Sequence, residues 1–302
     1  MRIEAPNKYR RTLIDRITAN AHRYMAVPAL LLFAVFFLYP LIRSIGLSLT
    51  DWNGISAARF VGIRNFISFF SDPRALADVK NTVLFAVGSA PLLNLFGLIY
   101  ALILDRSFAG KGVVRAVIYL PAVISPLIMG YIWYLLIQPE RGLLFQTLHQ
   151  IGLSVAGNWL DRPDTAMAVV VIVNVWQFVG MTMVIFLAGL QTIPQELYEA
   201  STVEGAGYFA TLRYVTIPLL APAIRINVIT NIIGSLSVFD IIVSLTDGGP
   251  GYSTESLSIY ILRMVYGSQT GYSTAVALVL FIIILIPVAI ALRLMRRTQY
   301  EV

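Results

Sequence analysis

The sequence predicts an all-α, polytopic membrane protein with about six transmembrane helices, and three observations lead to this fold class. Of its 302 residues, 58% are hydrophobic and 13% are charged, whereas soluble domains carry roughly a quarter charged residues. The mean hydropathy is +0.77. The apolar residues are gathered into six runs of roughly 20 residues, the length that crosses the hydrocarbon core of a bilayer.

The composition also excludes several kinds of site. The chain contains no cysteine, so disulfides, thiolate catalysis and cysteine-ligated metal are ruled out. His22 and His149 are far apart and neither has a second ligand at helical spacing, so no metal site is expected. The net charge of +6 does not indicate nucleic-acid binding, because the basic residues cluster at the ends of apolar runs, as membrane topology requires.

Six spans follow a short basic leader. Residues 1–24 contain six arginine and lysine residues and are predicted to form a cytoplasmic leader. Residues 25–302 are predicted to form a single transmembrane domain. We predict its spans at about 25–49, 83–104, 117–137, 165–190, 219–245 and 274–294.

Proline residues shape the first three spans. Pro40 lies toward the far end of the first span, Pro91 interrupts the second, and Pro121 and Pro126 lie within the third. Proline in a helix interior kinks the rod and frees backbone carbonyls. In lipid those carbonyls need partners, so we expect the kinks to lie beside protein or a water-filled cavity.

The fourth and fifth spans carry polar side chains, which are costly in a membrane unless they face a bundle interior or a pore. Asn174 and Gln177 are three residues apart and therefore share one face of the fourth span. Asn227, Asn231 and Ser235 are spaced by four residues and form a polar stripe along the fifth. These side chains predict either a polar path for solute or hydrogen bonds between helices, and the sequence leaves both open.

The basic residues predict the orientation. Six spans place both termini on one side of the membrane, and the sixth ends just before Arg296 and Arg297. That side holds thirteen of the arginine and lysine residues outside the spans, against seven on the other side. The positive-inside rule therefore predicts that both termini and residues 191–218 lie in the cytoplasm.

Residues 191–218 predict a compact polar helical hairpin between the fourth and fifth spans. A short helix is expected to begin near Thr192, which can cap it, with Pro194 in the first turn. Gly205 can adopt the left-handed conformation that ends a helix, and a second helical piece is expected over residues 208–214. Such a rigid hairpin suits docking into a groove on another protein.

The alternative for this hairpin is an amphipathic helix lying on the membrane surface. That alternative predicts lysine and arginine on the polar face, where they meet anionic lipid. The hairpin instead carries Glu196, Glu199 and Glu204 against Arg213 alone. Its negative charge therefore favours docking to a protein.

The hairpin also resembles the signature loop of ABC-importer permeases, which reads Glu-Ala-Ala, two residues, Asp-Gly-Ala and, further on, Leu-Pro. The corresponding residues here are Glu199, Ala200, Ser201, Glu204, Gly205, Ala206 and Pro218. Ser201 replaces an alanine, Glu204 the aspartate, and Ile217 the leucine. In that family the loop is a coupling helix that sits in a cleft on a cytoplasmic ATPase subunit, and the resemblance implies the same role and the type I importer permease fold.

Other stretches resemble the sugar-transporting, maltose-type members of this family, namely residues 60–66 with Asp72-Pro73, and residues 245–254 with Tyr260 and Gly271-Tyr272 after them. In maltose-type permeases, substrate contacts come from the spans that flank the coupling loop and from an earlier proline-kinked span. By position, the resemblance implies substrate-path candidates at Ser125, Asn174, Gln177, Phe178, Met181, Ser235 and Ser237, to which the polar stripe adds Asn231. Only Asn174 keeps the expected residue type, which implies a different sugar or a pore that this subunit lines only in part.

The resemblance implies a non-catalytic subunit that forms half of the pore of an ATP-driven, binding-protein-dependent sugar importer in a bacterial-type inner membrane. The implied partners are a second homologous permease, two ATPase subunits, an extracytoplasmic sugar-binding protein and membrane lipid. No cofactor is expected in this chain, because the sequence lacks the Gly-x-x-x-x-Gly-Lys-Ser/Thr phosphate loop. ATP and Mg²⁺ would be used by the ATPase chain.

Two other classes of function predict different sequence features. A membrane-embedded enzyme would need paired carboxylates, a histidine cluster or a nucleophile motif, and the sequence contains none. An ion-coupled secondary transporter usually has matched halves and intramembrane ion sites. Such a transporter would place an acid deep in the membrane, whereas Asp240, the one acid inside a predicted span, lies near the end of its helix. The ion-coupled transporter is kept as the alternative.

Overall fold

A computed structural model describes residues 26–138, 141–151 and 159–295, so the basic leader predicted over residues 1–24 lies outside the described residues. Within those ranges the chain is helical, and β-type pairing is limited to one bridge between Thr50 and Phe60. The described residues contain thirteen helices: α1 (Ala26–Ser48), α2 (Arg64–Ser71), α3 (Pro73–Asp105), α4 (Lys111–Val123), α5 (Pro126–Ile137), α6 (Leu143–Gln150), α7 (Pro163–Leu190), α8 (Gln195–Val203), α9 (Tyr208–Leu219), α10 (Ala221–Leu236), α11 (Asp240–Leu245), α12 (Leu257–Tyr266) and α13 (Thr270–Met295).

Six membrane spans can be assigned among these helices. By length and composition, α1, α3, α7 and α13 can each cross a membrane, and two bent pairs complete the set: α4 with α5 at 98°, and α9 with α10 at 70°. The predicted all-α class with about six spans is confirmed. The second span begins at residue 73 rather than 83, because Asp72 caps α3 by accepting hydrogen bonds from the amides of Arg74 and Ala75.

The third span is broken, a sharper change than the kink that the sequence predicts over residues 117–137. Ser125 has an extended backbone (ψ 133°), because the residue before a proline is disfavoured from helical geometry. α4 therefore ends at Val123 and α5 begins at Pro126. The Ile124 carbonyl at this break accepts a hydrogen bond from Nε2 of Gln177 at 3.0 Å, which supplies the partner that the bilayer cannot.

Prolines also explain two wide helical turns. Residues Ala34–Leu38 of α1 and Leu212–Thr216 of α9 are π-helical, and each turn ends two residues before Pro40 or Pro218. A proline ring clashes with the carbonyl four residues before it. In both places the amide preceding the proline bonds to a carbonyl five residues back, and the wider turn makes room for the ring.

The central helix of the bundle is α7, which packs along α3 and against α4 and α10. Two glycines make this close approach possible. A Cβ on Gly180 of α7 would clash with the Ile118 carbonyl of α4, and a Cβ on Gly97 of α3 would lie 2.6 Å from Cγ2 of Thr182. Small residues at such contacts let membrane helices approach closely enough for their backbones to pack together.

An ion-pair network joins the loop before α12 to the start of α3. Glu255 is fully buried, and it accepts hydrogen bonds from Nε and Nη2 of Arg74, each at 3.0 Å. Nε of Arg263 lies 2.7 Å from Oε1 of Glu255, close enough for an ion pair but without the alignment of a hydrogen bond. The Arg74 guanidinium also lies over the Tyr252 ring at 3.8 Å, so this loop is held by both charge and stacking.

Replacing the buried carboxylate (Glu255→Gln) should destabilise the fold by about 3 kcal/mol, because removing one member of a buried ion pair leaves its partners uncompensated. Because Arg74 and Arg263 are 31% and 34% exposed, we expect a loss of stability at the lower end of the range for buried ion pairs. Thermal unfolding in detergent measures the change. The control is Asp247→Asn, which removes an ion pair to the same Arg263 from a carboxylate that is 76% exposed and should alter stability by less than about 1 kcal/mol. Equal shifts for the two variants would contradict the prediction.

Candidate functional site

A cleft of about 270 Å³, the central cleft, lies between α3, α7 and α10, midway along α7. Five of the candidates named from the sequence line it: Asn174, Phe178, Met181, Asn231 and Ser235. The polar stripe along α10 therefore faces the side of α7 that carries Asn174.

The remaining lining residues are Leu93, Thr182, Ile185, Asn227, Thr230 and Gly234. The lining combines apolar side chains with uncharged amides and hydroxyls, and none of the described residues that line it is charged. Thr182 was missed as a site candidate in the sequence. Its spacing offered a signal, because Asn174, Phe178 and Thr182 follow one another at intervals of four on one face of α7.

The amides of the central cleft also join helices. Nδ2 of Asn174 donates to Oγ of Ser89 on α3 at 2.6 Å, and Nδ2 of Asn227 donates to the Thr182 carbonyl at 3.1 Å. Nδ2 of Asn231 donates to Oγ1 of Thr182 at 3.3 Å.

The two roles that the sequence left open for these amides, a polar path and interhelical bonds, are therefore compatible. The amide hydrogens bond the neighbouring helix, while Oδ1 of Asn227 is buried with no partner among the described residues. An unpaired buried acceptor in a cleft can be satisfied by a water or by a ligand hydroxyl.

Three of the sequence candidates lie outside the central cleft. Gln177 is fully buried and bonds the Ile124 carbonyl, because a step of three residues turns a helix by about 300° and leaves Gln177 about 60° away from Asn174. Ser125 is exposed at the break between α4 and α5. Ser237 is exposed and donates to the Ile233 carbonyl of its own helix at 2.7 Å.

The second candidate site is the hairpin formed by α8, the following turn and the first part of α9. Gly205 ends α8 in the left-handed conformation, with φ +79°. The Ala206 amide donates to the Ser201 carbonyl at 2.9 Å, which closes the end of the helix. Oγ of Ser201 donates to the Tyr198 carbonyl at 2.8 Å and lies 3.3 Å from Oγ1 of Thr211. Ser201 therefore links the two arms through a hydroxyl that alanine lacks.

The prediction that Thr192 caps the first helix of the hairpin is wrong. Oγ1 of Thr192 donates backward to the Gly189 carbonyl at 2.7 Å and so closes the end of α7. Pro194 precedes α8 with an extended backbone, and no side chain caps that helix.

The tip of the hairpin exposes apolar side chains among carboxylates. Val203 is 88% exposed and Phe209 is 81% exposed, and Glu199 and Glu204 are exposed beside them. In a polar segment between spans, such side chains are typical of a surface that a partner covers. Sequence reasoning followed the charges and missed them, although Val203 lies four residues after Glu199 and shares its face.

The base of the hairpin is attached to the bundle. Tyr198 packs against the apolar cluster that includes Leu104 and Leu187. The guanidinium of Arg106, which follows α3, lies over the Tyr208 ring at 5.2 Å. The hairpin is thus anchored at both of its arms.

Comparison with known proteins gives one family match. Residues 94–300 match the family described as "Binding-protein-dependent transport system inner membrane component". The chain is 33% identical over 276 residues to the probable starch degradation products transport system permease protein AmyD of Thermoanaerobacterium thermosulfurigenes, covering 91% of this chain and 93% of that protein. It is 35% identical to the trehalose/maltose transport system permease protein MalF of Thermococcus litoralis, covering 86% of this chain and 88% of that protein.

A similar fold occurs among solved structures. One chain of a bacterial alginate ABC transporter, crystallised in complex with an alginate pentasaccharide-bound periplasmic protein, matches with a TM-score of 0.82 and 23% identity. The match covers 96% of this chain and 99% of that chain. At this identity the likeness concerns the fold alone.

A cysteine placed in the central cleft (Gly234→Cys) should react with a water-soluble maleimide in intact membranes. Gly234 lines the cleft, and a Cβ there meets no atom within 4 Å. The natural chain has no cysteine, so labelling followed by mass spectrometry reports this position alone. Ile282→Cys on α13 is the control: its side chain is 51% exposed in the isolated chain but outside the cleft, and lipid should protect it. Equal labelling of the two positions would contradict an aqueous cleft.

Proposed function

We propose that this chain conducts a carbohydrate through the central cleft as half of a translocation pore. The premise is that the chain belongs to the family of binding-protein-dependent transport system inner membrane components. Membership makes the chain a multi-pass permease subunit of an ABC importer, which is a transport subunit and not an enzyme, the ATPase being a separate chain. The ion-coupled transporter kept as the alternative receives no support from the family match.

Carbohydrate is the cargo class that the central cleft favours, and its uncharged lining is the observation that carries the proposal. Amides and hydroxyls offer both donors and acceptors to sugar hydroxyls, and the unpaired oxygen of Asn227 is one such acceptor. Phe178 offers a flat apolar face to a pyranose ring. Within the part of the chain that the structure describes, no cationic side chain lines the cleft, which disfavours a phosphorylated sugar. Relatives named for starch degradation products and for trehalose and maltose agree with this class.

The candidates named from the sequence then divide into two roles. The lining residues contact the sugar directly: Asn174, Phe178, Met181, Asn231 and Ser235. Gln177 acts indirectly, by holding the break beside Ser125 through the Ile124 carbonyl. Ser237 bonds its own helix and takes no part in the path.

The hairpin couples this path to ATP hydrolysis. The shape and charge of the hairpin come from Glu199, Ala200, Ser201, Glu204, Gly205, Ala206 and Pro218. Val203 and Phe209 are the apolar anchors that enter a groove on the ATPase subunit. Because α9 continues through the 70° bend into α10, a displacement of the hairpin reaches the wall of the central cleft along the backbone.

A complete importer needs further chains. A second homologous permease encloses the other half of the pore, two ATPase subunits use ATP and Mg²⁺, and an extracytoplasmic binding protein delivers the sugar, with membrane lipid around the bundle. Residues 25–302 act as one transmembrane domain, with the leader, both termini and the hairpin in the cytoplasm. No nucleic acid is involved.

Single cysteines test the orientation. Glu199→Cys should react with a membrane-impermeant maleimide only in inside-out vesicles, because the hairpin faces the cytoplasm. Tyr266→Cys, at the end of α12 and 79% exposed, should react only in right-side-out vesicles. Labelling of Glu199→Cys from outside would remove the hairpin from the compartment of the ATPase and overturn the coupling role.

Gly205 and Gly207 provide a matched pair for testing coupling. Gly205→Val places a β-branched residue at φ +79°, a conformation whose cost of about 1–2 kcal/mol distorts the turn, and should lower sugar uptake about tenfold while ATPase activity persists. Gly207→Val changes a residue with φ −73°, and a Cβ meets no atom within 4 Å at either site, so it should transport like the natural chain.

The measurements are uptake and ATP hydrolysis by the reconstituted importer with maltose, trehalose and lactose. Equal uptake by the two glycine variants would overturn the docking geometry. Failure of the natural importer to take up any carbohydrate across a wider panel, including oligosaccharides, would overturn the cargo class.

A further inference from the structure

We infer that a second carbohydrate-binding site lies at the end of the bundle opposite the hairpin, in a cleft of about 640 Å³ between α5, α11 and the start of α7. We call it the outer cleft. The inference rests on the proposed carbohydrate cargo and adds a site that the cargo meets before the central cleft. Tyr131, Tyr134, Leu160, Asp161 and residues 243–247 line it.

The outer cleft is separated from the central cleft along α7. This helix has 28 residues and is therefore about 42 Å long. Leu160 and Asp161 of the outer cleft lie just before its first residue, and the hairpin lies beyond its last. Asn174 of the central cleft lies eleven residues into the helix, about 17 Å along its axis. A sugar bound in the outer cleft therefore occupies a different site from one in the central cleft.

The two helices that form the outer cleft are in direct contact. A Cβ on Gly130 of α5 would overlap the Ser244 hydroxyl of α11, so the Ser244 side chain packs directly against the backbone of α5 there. Oγ of Ser244 also donates to the Asp240 carbonyl at 2.8 Å within α11. The base of the cleft is thus fixed before any ligand arrives, which lowers the entropy cost of binding.

The side chains of α5 divide between the interior and the cleft. Trp133 turns inward and meets Trp176 of α7 edge to face, with ring centroids 5.3 Å apart. Tyr131 and Tyr134, three residues apart on the same helix, are 54% and 41% exposed. Two exposed rings in a preformed concave site offer apolar faces to the C–H groups of a sugar ring and hydroxyls to its oxygens.

Carboxylates occupy the other side of the outer cleft. Asp161 makes no hydrogen bond or ion pair within the described ranges. Asp247 is held by Arg263, whose Nη2 donates to the Asp247 carbonyl at 2.8 Å and to Oδ1 at 3.2 Å. Charged acceptors make strong hydrogen bonds to neutral hydroxyls. Arg263 offsets part of the charge of Asp247, and the carboxylate of Asp161, which has no partner among the described residues, is left to accept hydrogen bonds from sugar hydroxyls.

The competing explanation is that Tyr131 and Tyr134 belong to the belt of aromatic residues that meets lipid headgroups at a membrane surface. A belt position predicts rings that face lipid alone. Here the rings share a cleft with Asp161, whose carboxylate, unpaired within the described part of the chain, requires water or a polar ligand. The shared cleft favours the sugar.

Sugar protection of a single cysteine distinguishes these explanations. Tyr134→Cys, in the reconstituted importer in right-side-out vesicles, should react with an impermeant maleimide, and maltose or maltotriose should slow the reaction several-fold. Tyr266→Cys, also exposed at this end but outside the cleft, is the control that sugar should leave unchanged. Asp161→Asn, introduced into the Tyr134→Cys chain, should weaken the protection. Tyr131→Cys provides a second reporter if the first variant does not assemble.

The possible outcomes separate this inference from the proposed function. Protection at Tyr134→Cys but not at Tyr266→Cys supports the outer cleft. A cysteine that does not react from water indicates a lipid-facing belt, and protection by glucosamine alone indicates a cation site; either result overturns the inference. Absence of protection by sugars that the same importer takes up overturns it while leaving the cargo proposal intact. Absence of uptake for every carbohydrate tested counts against the cargo proposal itself.

Discussion

A backbone carbonyl that has lost its amide partner must be satisfied within the protein when it lies in a membrane, and the shape of this bundle depends on how its breaks meet that requirement. At the break before Pro126, Gln177 of the central helix supplies the missing donor. Before Pro40 and Pro218, a wider turn moves the bonding to a carbonyl five residues back. The Gln177 donor allows the chain to turn sharply before Pro126, whereas the wider turns let the helices continue through Pro40 and Pro218.

The corner between α4 and α5 has consequences at both ends of α7. Because α5 leaves the axis of α4 at 98°, it packs against α11 and places Tyr131 and Tyr134 in the outer cleft. The same turn places Trp133 against Trp176, so α5 is fixed to the helix that lines the central cleft. One rigid helix therefore connects the outer cleft, the central cleft and the hairpin, while α9 and α10 provide the bend through which the hairpin can act.

Residue spacing predicted which faces would be polar but not which neighbour each side chain would meet. Asn174 and Asn231 reach the central cleft as the spacing indicates, whereas Gln177 points to the broken helix beside it. That difference of about 60° around a helix is smaller than the width of a predicted face. The capping prediction for Thr192 was wrong for a similar reason. A hydroxyl between two helices can bond the last carbonyls of the first helix or cap the second, and the local sequence does not distinguish the two.

The sequence by itself determined the class of protein, the number of spans, the hairpin and its charge, because these follow from long apolar runs, prolines, Gly205 and the sign of nearby side chains. These signals are local in the chain and strong in a membrane, where an unsatisfied polar group is costly. Only the tertiary structure decided the bond from Gln177 to the Ile124 carbonyl, the link from Ser201 to Thr211, and the shared cleft of Tyr134 and Asp161. Each of these joins residues from different elements, and their contact depends on how tightly glycines such as Gly130 and Gly180 let the helices pack, which no local pattern encodes.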